Sequence, residues 1–143
     1  MLHDICYMKT VMVFGVFDGL HEGHKYFLSE AKKLGDSLIA VVTTDENVKK
    51  LKGSLPINDF KIRQEEIRKK GDVDEVVPSD KELYTWGVIN KYKPDVIAVG
   101  YDQTELKKAL EDYLKEGGIK LELKVIPSFK PQQYKSSLLN KLG

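Results

Sequence analysis

The sequence predicts an α/β fold: one three-layer domain with a mostly parallel sheet and helices on both faces. Three observations predict it. Short, β-branched apolar runs alternate with longer amphipathic stretches; the pairs follow one another with no linker between them; and each stretch is long enough to carry the chain back for parallel pairing. A chain of 143 residues, 41% hydrophobic and 31% charged, suits a single folded core. The whole chain, 1–143, is read as one domain, with residues 1–8 a loose N-terminal extension.

Residues 9–14 are apolar and β-branched and end at Gly15, which suits a buried strand. Residues 24–34 place Phe27, Leu28, Ala31 and Leu34 on one helical face, with Gly35 as a C-terminal stop. Residues 37–43 read as a second buried strand, 45–50 as a short helix, and 51–59, with Gly53 and Pro56, as a loop. A helix over 60–70 leads to a short strand at 74–77 that Pro78 closes. A helix is expected over 81–92, and Pro94 separates it from a strand at 96–99. Residues 103–116 carry Leu106, Ala109, Leu110, Tyr113 and Leu114 on one face; Gly117-Gly118 ends that helix, and 121–126 forms a late or edge strand. A serine-capped helix is expected over 136–142. In an open sheet of this kind, ligands sit beyond the carboxyl ends of the strands. Four places qualify: residues 15–24, 43–52, 100–104 and 127–137.

Composition excludes several function classes. A formal charge of +1 gives no bulk attraction for nucleic acid or anionic membrane. A single cysteine, Cys6, excludes an intrachain disulfide or a multi-cysteine metal site, and it is read as a plain apolar or surface residue. No apolar run approaches the roughly 20 residues of a membrane span. The expected location is cytoplasmic.

Residues 15–24, Gly-Val-Phe-Asp-Gly-Leu-His-Glu-Gly-His, join a strand end to a helix start. Glycines at 15, 19 and 23 would let the backbone approach a ligand. The helix N-terminus offers free N–H groups and partial positive charge to a phosphate, and His21 and His24 can add imidazole donors. Two other readings stand beside this one. A two-histidine metal site would need a third ligand that the motif does not provide, and no metal ligands are assigned. Alternatively, the histidines only cap the helix. A Walker loop is excluded because its Gly-Lys-Ser/Thr ending is missing, and the dinucleotide G-x-G-x-x-G pattern is absent.

The same ten residues closely resemble the G-T-F-D-x-x-H-x-G-H signature of the cytidylyltransferase-like nucleotidyltransferases. The resemblance implies a Rossmann-like nucleotidyltransferase fold of five strands. In that family the two histidines bind the triphosphate and stabilise the transferring group, a role carried here onto His21 and His24. Val16, Phe17, Glu22 and Gly23 would contact or line the nucleotide, and Asp18 would brace the turn, a direct ligand role being its other reading. Val16 stands where threonine is usual, which removes a hydroxyl contact. Residues 43–53 resemble the family's basic stretch, so Lys50 is placed with the histidines as catalytic. Lys49 and Lys52 are further phosphate-contact candidates; which of the three lysines meets phosphate stays open, a solvated lysine cluster being the alternative. Arg63 matches an arginine that meets either phosphate or an ion-pair partner.

Residues 93–104, running into Gly100-Tyr101-Asp102-Gln103, resemble the archaeal FAD synthetase branch of the family. Asp102 would then sit beside the base or ribose, with a helix N-cap as its other reading. Phe129, followed by the Ser136-Ser137 pair, resembles the same branch: Phe129 would line adenine, while Ser136 and Ser137 would hold a triphosphate oxygen. Lys130 or Lys135 would supply charge where relatives have arginine. The implied reaction joins ATP and FMN to give FAD and pyrophosphate, with Mg²⁺ accompanying the ATP. Cytidylyl transfer to glycerol 3-phosphate, adenylyl transfer to a sugar phosphate, and a non-catalytic nucleotide-binding module are the other readings. Dimers are common in the family; Trp86 or Tyr92 would serve a homodimer interface if exposed and the core if buried. The acceptor pocket has no residues assigned to it.

Overall fold

The computed structural model describes residues 8–129. Among them, β1 (Thr10–Gly15), β2 (Ser37–Val42), β3 (Glu75–Pro78), β4 (Val96–Gly100) and β5 (Glu122–Ile126) form one sheet. The order is β3-β2-β1-β4-β5, and every neighbouring pair is parallel. The helices are α1 (Glu22–Lys32), α2 (Asp45–Lys52), α3 (Phe60–Lys70), α4 (Gly87–Tyr92) and α5 (Thr104–Gly117).

Strand side chains alternate between faces, so consecutive residues of β1 serve different layers. Val11 and Val13 join Leu28 and Ala31 of α1 and Ile67 of α3 in one core. Met12 joins Val88 and Ile89 of α4 and Leu110 of α5 in the other. Covered on both faces, β1, β2 and β4 have nearly unbroken burial, as parallel strands require. The strand β5, at the edge, is mostly exposed. Capping fixes where the helices around the site begin: Thr44 Oγ1 accepts from Asn47 N–H at 3.3 Å, and the Asp59 carboxylate accepts from Ile62 N–H at 3.0 Å.

The helix expected over 81–92 exists only as Gly87–Tyr92. Tyr84 and Trp86 have φ of 59° and 63°, in the left-handed region, where a right-handed helix cannot run. Packing holds them there. The Trp86 ring is only 7% exposed, meets Phe14 edge-on at 5.8 Å and lies 5.9 Å from Tyr113. The periodic apolar pattern was therefore that of an aromatic knot rather than of a helix turn. The knot also makes Trp86 a core residue instead of an interface residue, and Tyr92 packs against the same core. The expected helix over 136–142, and Cys6 within the first seven residues, lie outside the described residues. No described helix is long and apolar enough to cross a membrane.

Candidate active site

The chain leaves β1 at Gly15 and turns at once, with Phe17 at φ 52°. A Cβ on Gly15 would lie 2.7 Å from Phe17 Cε2, so the glycine gives room for the Phe17 ring to fold back into the core. Asp18 then ties this turn to the loop before α3. Its carboxylate accepts from the backbone N–H groups of Ile57 (2.7 Å) and Asn58 (3.0 Å) and from Asn58 Nδ2 (3.1 Å). Burial pushes the Asp18 carboxyl up, but these hydrogen bonds and the charge of Arg63 outweigh it and hold the group below the usual carboxylate value.

His21 ends the turn as the N-cap of α1. Its Nδ1 accepts from Gly23 N–H at 3.1 Å and His24 N–H at 3.4 Å, while His24 Nδ1 accepts from His21 N–H at 3.3 Å. The two imidazoles thus form a reciprocal capping box and stack with centroids 3.7 Å apart. A Cβ on Gly23 would press on the His21 ring at 3.0 Å. Gly15 and Gly23 therefore make room for the chain's own Phe17 and His21, where the sequence reading had them clear space for a ligand. Because each Nδ1 accepts, each neutral ring carries its proton on Nε2. Capping and phosphate donation thus fall on different nitrogens of one ring, and the two sequence readings are compatible. Burial, and then the neighbouring His21, push His24 below the ordinary histidine value. A hydrogen bond to the Gly19 backbone and the Asp102 carboxylate pull it up, and Lys52 lowers it further.

Both histidines line a cavity of about 570 Å³ beyond the carboxyl ends of β1 and β4. Of the site residues named from sequence, Val16, Phe17, Asp18, Gly23, Lys52, Asp102 and Phe129 line it with them. Lys52, in the last turn of α2, is the lysine of the basic stretch that reaches this wall; Lys49 and Lys50 are exposed elsewhere on the helix. The placement of Lys50 beside the histidines is therefore corrected to Lys52. Glu22 points away, with its side chain 74% exposed and 3.5 Å from Lys25.

Arg63 is also displaced from phosphate. It is fully buried, donating from Nε to Asn58 O (2.9 Å), from Nη1 to Val16 O (2.8 Å) and Thr43 O (2.9 Å), and from Nη2 to Asp45 Oδ1 (2.6 Å). Of its two sequence readings, the ion pair is the one the geometry carries. Asp102 does not cap α5, whose N-cap is Gln103. Ser136, Ser137, Lys130 and Lys135 lie outside the described residues.

Some lining residues carried no individual signal in the sequence. Tyr26 packs on Phe129 with ring centroids 5.4 Å apart. Gln103 clamps the two central strands, donating from Nε2 to Phe14 O and accepting at Oε1 from Gly100 N–H, both at 2.8 Å. The strand-end rule and the resemblance of residues 93–104 both reach Gln103, without giving it this role. A second cavity of about 190 Å³ lies on the α4–α5 side, with Phe14, Val41, Leu83, Tyr84, Trp86 and Leu106 among its walls. Phe14, Gly15, Val16 and Gln103 belong to both cavities, so the two meet at the end of β1.

A family model described as cytidylyltransferase-like matches residues 12–141. The chain is 44% identical over 132 residues to a protein named FAD synthase from Pyrococcus abyssi, covering 92% of this chain and 89% of that one. A FAD synthase from Pyrococcus horikoshii is 44% identical over 117 residues, covering 82% and 79%. Among solved structures, a protein titled lipopolysaccharide core biosynthesis protein from Thermoplasma volcanium superposes with a TM-score of 0.79 at 34% identity. That match covers 87% of this chain and all of the other.

Proposed function

The chain belongs to the cytidylyltransferase-like family, and from that premise we propose that it is a FAD synthase, moving the adenylyl group of ATP onto FMN. The observation that carries the reading is the meeting of two cavities at Gly15-Val16. One holds a paired-histidine helix N-terminus, Lys52 and Asp102. The other is walled by aromatic rings.

In this reading ATP occupies the larger cavity, its phosphates against the N-terminus of α1 and its adenosine towards Asp102 and Phe129. FMN enters from the aromatic cavity, its phosphate directed at the shared wall. An FMN phosphate oxygen attacks the α-phosphorus of ATP; the bond from that phosphorus to the bridging oxygen breaks, and pyrophosphate leaves with the electron pair. A phosphate monoester is already anionic, so no general base is required. Rate comes from alignment and from donors that meet the charge as it develops. The Nε2–H groups of His21 and His24 and the Lys52 ammonium are those donors, with the positive end of α1 behind them.

A divalent cation, Mg²⁺ in our proposal, would travel with the nucleotide. Among the described residues no three His, Cys, Asp or Glu side chains gather into a metal cage. A donor set with one unengaged carboxylate, Asp102, suits an ion carried on phosphate oxygens. Such an ion would supply charge neutralisation on the leaving pyrophosphate.

The test is an acceptor panel: ATP or CTP combined with FMN, glycerol 3-phosphate or a sugar phosphate, with pyrophosphate release and FAD absorbance followed together. ATP with FMN should give FAD and pyrophosphate in equal amounts. Turnover with a sugar phosphate and none with FMN would instead favour the kind of role named for the Thermoplasma relative.

A further inference from the structure

Resting on the FAD synthase reading, we propose that Asn47 is the residue that recognises the flavin ring, its side-chain oxygen accepting a hydrogen bond from the ring's imide N3–H. Asn47 is 1% exposed, sits in α2 and lines the aromatic cavity. Its side-chain nitrogen donates to Asp80 O at 2.9 Å and to Ser79 Oγ at 3.4 Å. A backbone carbonyl can only accept, so the contact with Asp80 fixes which end of the amide is nitrogen and which is oxygen. That leaves Oδ1 as an acceptor with no donor, the one buried side-chain N or O atom among the described residues in that state. Buried polar atoms are almost always satisfied, and an exception in a cavity wall points to a partner that arrives with a ligand.

The cavity narrows the chemistry of that partner. Phe14, Tyr84 and Trp86 present aromatic surface, which suits a flat heteroaromatic ring. The pyrimidine portion of an isoalloxazine ring is flat and carries a single N–H between two carbonyls. Glycerol 3-phosphate and sugar phosphates have hydroxyls but no ring of this kind. Asn47 is therefore a specificity residue, selecting FMN over other phosphate monoesters, while the α-phosphorus chemistry proceeds at the neighbouring histidines. Its location explains why no motif revealed it: an asparagine inside a lysine-rich helix carries no sequence signal of its own.

The probe is 3-methyl-FMN, in which a methyl group replaces the N3 hydrogen. Wild-type protein should prefer FMN to 3-methyl-FMN by roughly ten- to a hundredfold in kcat/KM, the effect of leaving one buried acceptor unpaired. In Asn47→Ala the preference should collapse to near unity, with the KM for ATP unchanged. Equal use of the two flavins by the wild type, or a preference that persists in Asn47→Ala, overturns the proposal. Should Asn47→Ala not fold, the wild-type ratio decides. FAD formed equally from both flavins refutes the role of Asn47 and leaves the FAD synthase reading standing; no FAD from either flavin refutes both.

Discussion

His21 and His24 cap one helix with their Nδ1 atoms, and that arrangement dictates what their other nitrogens can do. Protonation of His24 at Nδ1 would turn the acceptor of the His21 N–H into a donor and open the capping box. The folded chain takes up the His24 proton only below the ordinary value of 6.5, whereas the unfolded chain takes it up near 6.5. Below 6.5 the unfolded state thus binds more protons, and stability falls as pH drops. The contribution is complete above 6.5 and is lost as pH falls through the lowered value. Urea unfolding between pH 7.5 and 5.5 should show a stability loss whose slope is shallower in His24→Asn; equal slopes would contradict the assignment. Among the lysines, Lys52→Ala should lower kcat/KM for ATP about ten- to a hundredfold, the worth of one charged hydrogen bond, whereas Lys49→Ala and Lys50→Ala should leave it nearly unchanged. An equal loss in all three would return the basic stretch to a diffuse electrostatic role.

Loops take their positions from residues on other elements. Arg63, in the first turn of α3, holds the carbonyls that follow β1 and β2 and pairs with Asp45 at the start of α2. Replacing it with methionine removes that brace, leaves three part-buried carbonyls and the Asp45 carboxylate without their partner, and should destabilise the chain by about 3–5 kcal/mol in urea unfolding. A change below about 1 kcal/mol would show the bonds to be replaceable. Most elements were legible because apolar spacing reports burial directly. β1, β2 and β4 are buried on both faces, and α3 was bounded correctly at Phe60 and Lys70. Residues 81–86 were not legible, because Leu83 and Trp86 are spaced like a helical stripe while the backbone between them passes through positive φ. Lys49, Lys50 and Lys52 are not separable in the sequence for a related reason. A lysine run shows that a helix end is basic, but not which side of it meets a cavity formed by other elements. Arg63 shows the same limit, because its partners come together only when four segments converge.

At the scale of the molecule, sheet order explains why the site lies where it does. From central β1 the chain fills one side with β2 and β3, then crosses over to add β4 and β5 on the other. That reversal opens a crevice at the carboxyl ends of β1 and β4, where residues 15–24 and 100–103 meet. The first strand thus delivers the histidine turn to the crevice and also divides it from the aromatic cavity. In the proposed arrangement two substrates approach one phosphorus from opposite sides, and Gln103 bonds the ends of β1 and β4 together. In the proposed reading the stacked imidazoles stabilise the group in transfer. The rate of FAD formation from saturating ATP and FMN by His21→Ala and His24→Ala tests this directly, each variant first shown to be folded by a cooperative unfolding transition at pH 7.5. Each should fall by about 10²–10³ with the fold intact; folded variants that turn over at the wild-type rate would contradict the account.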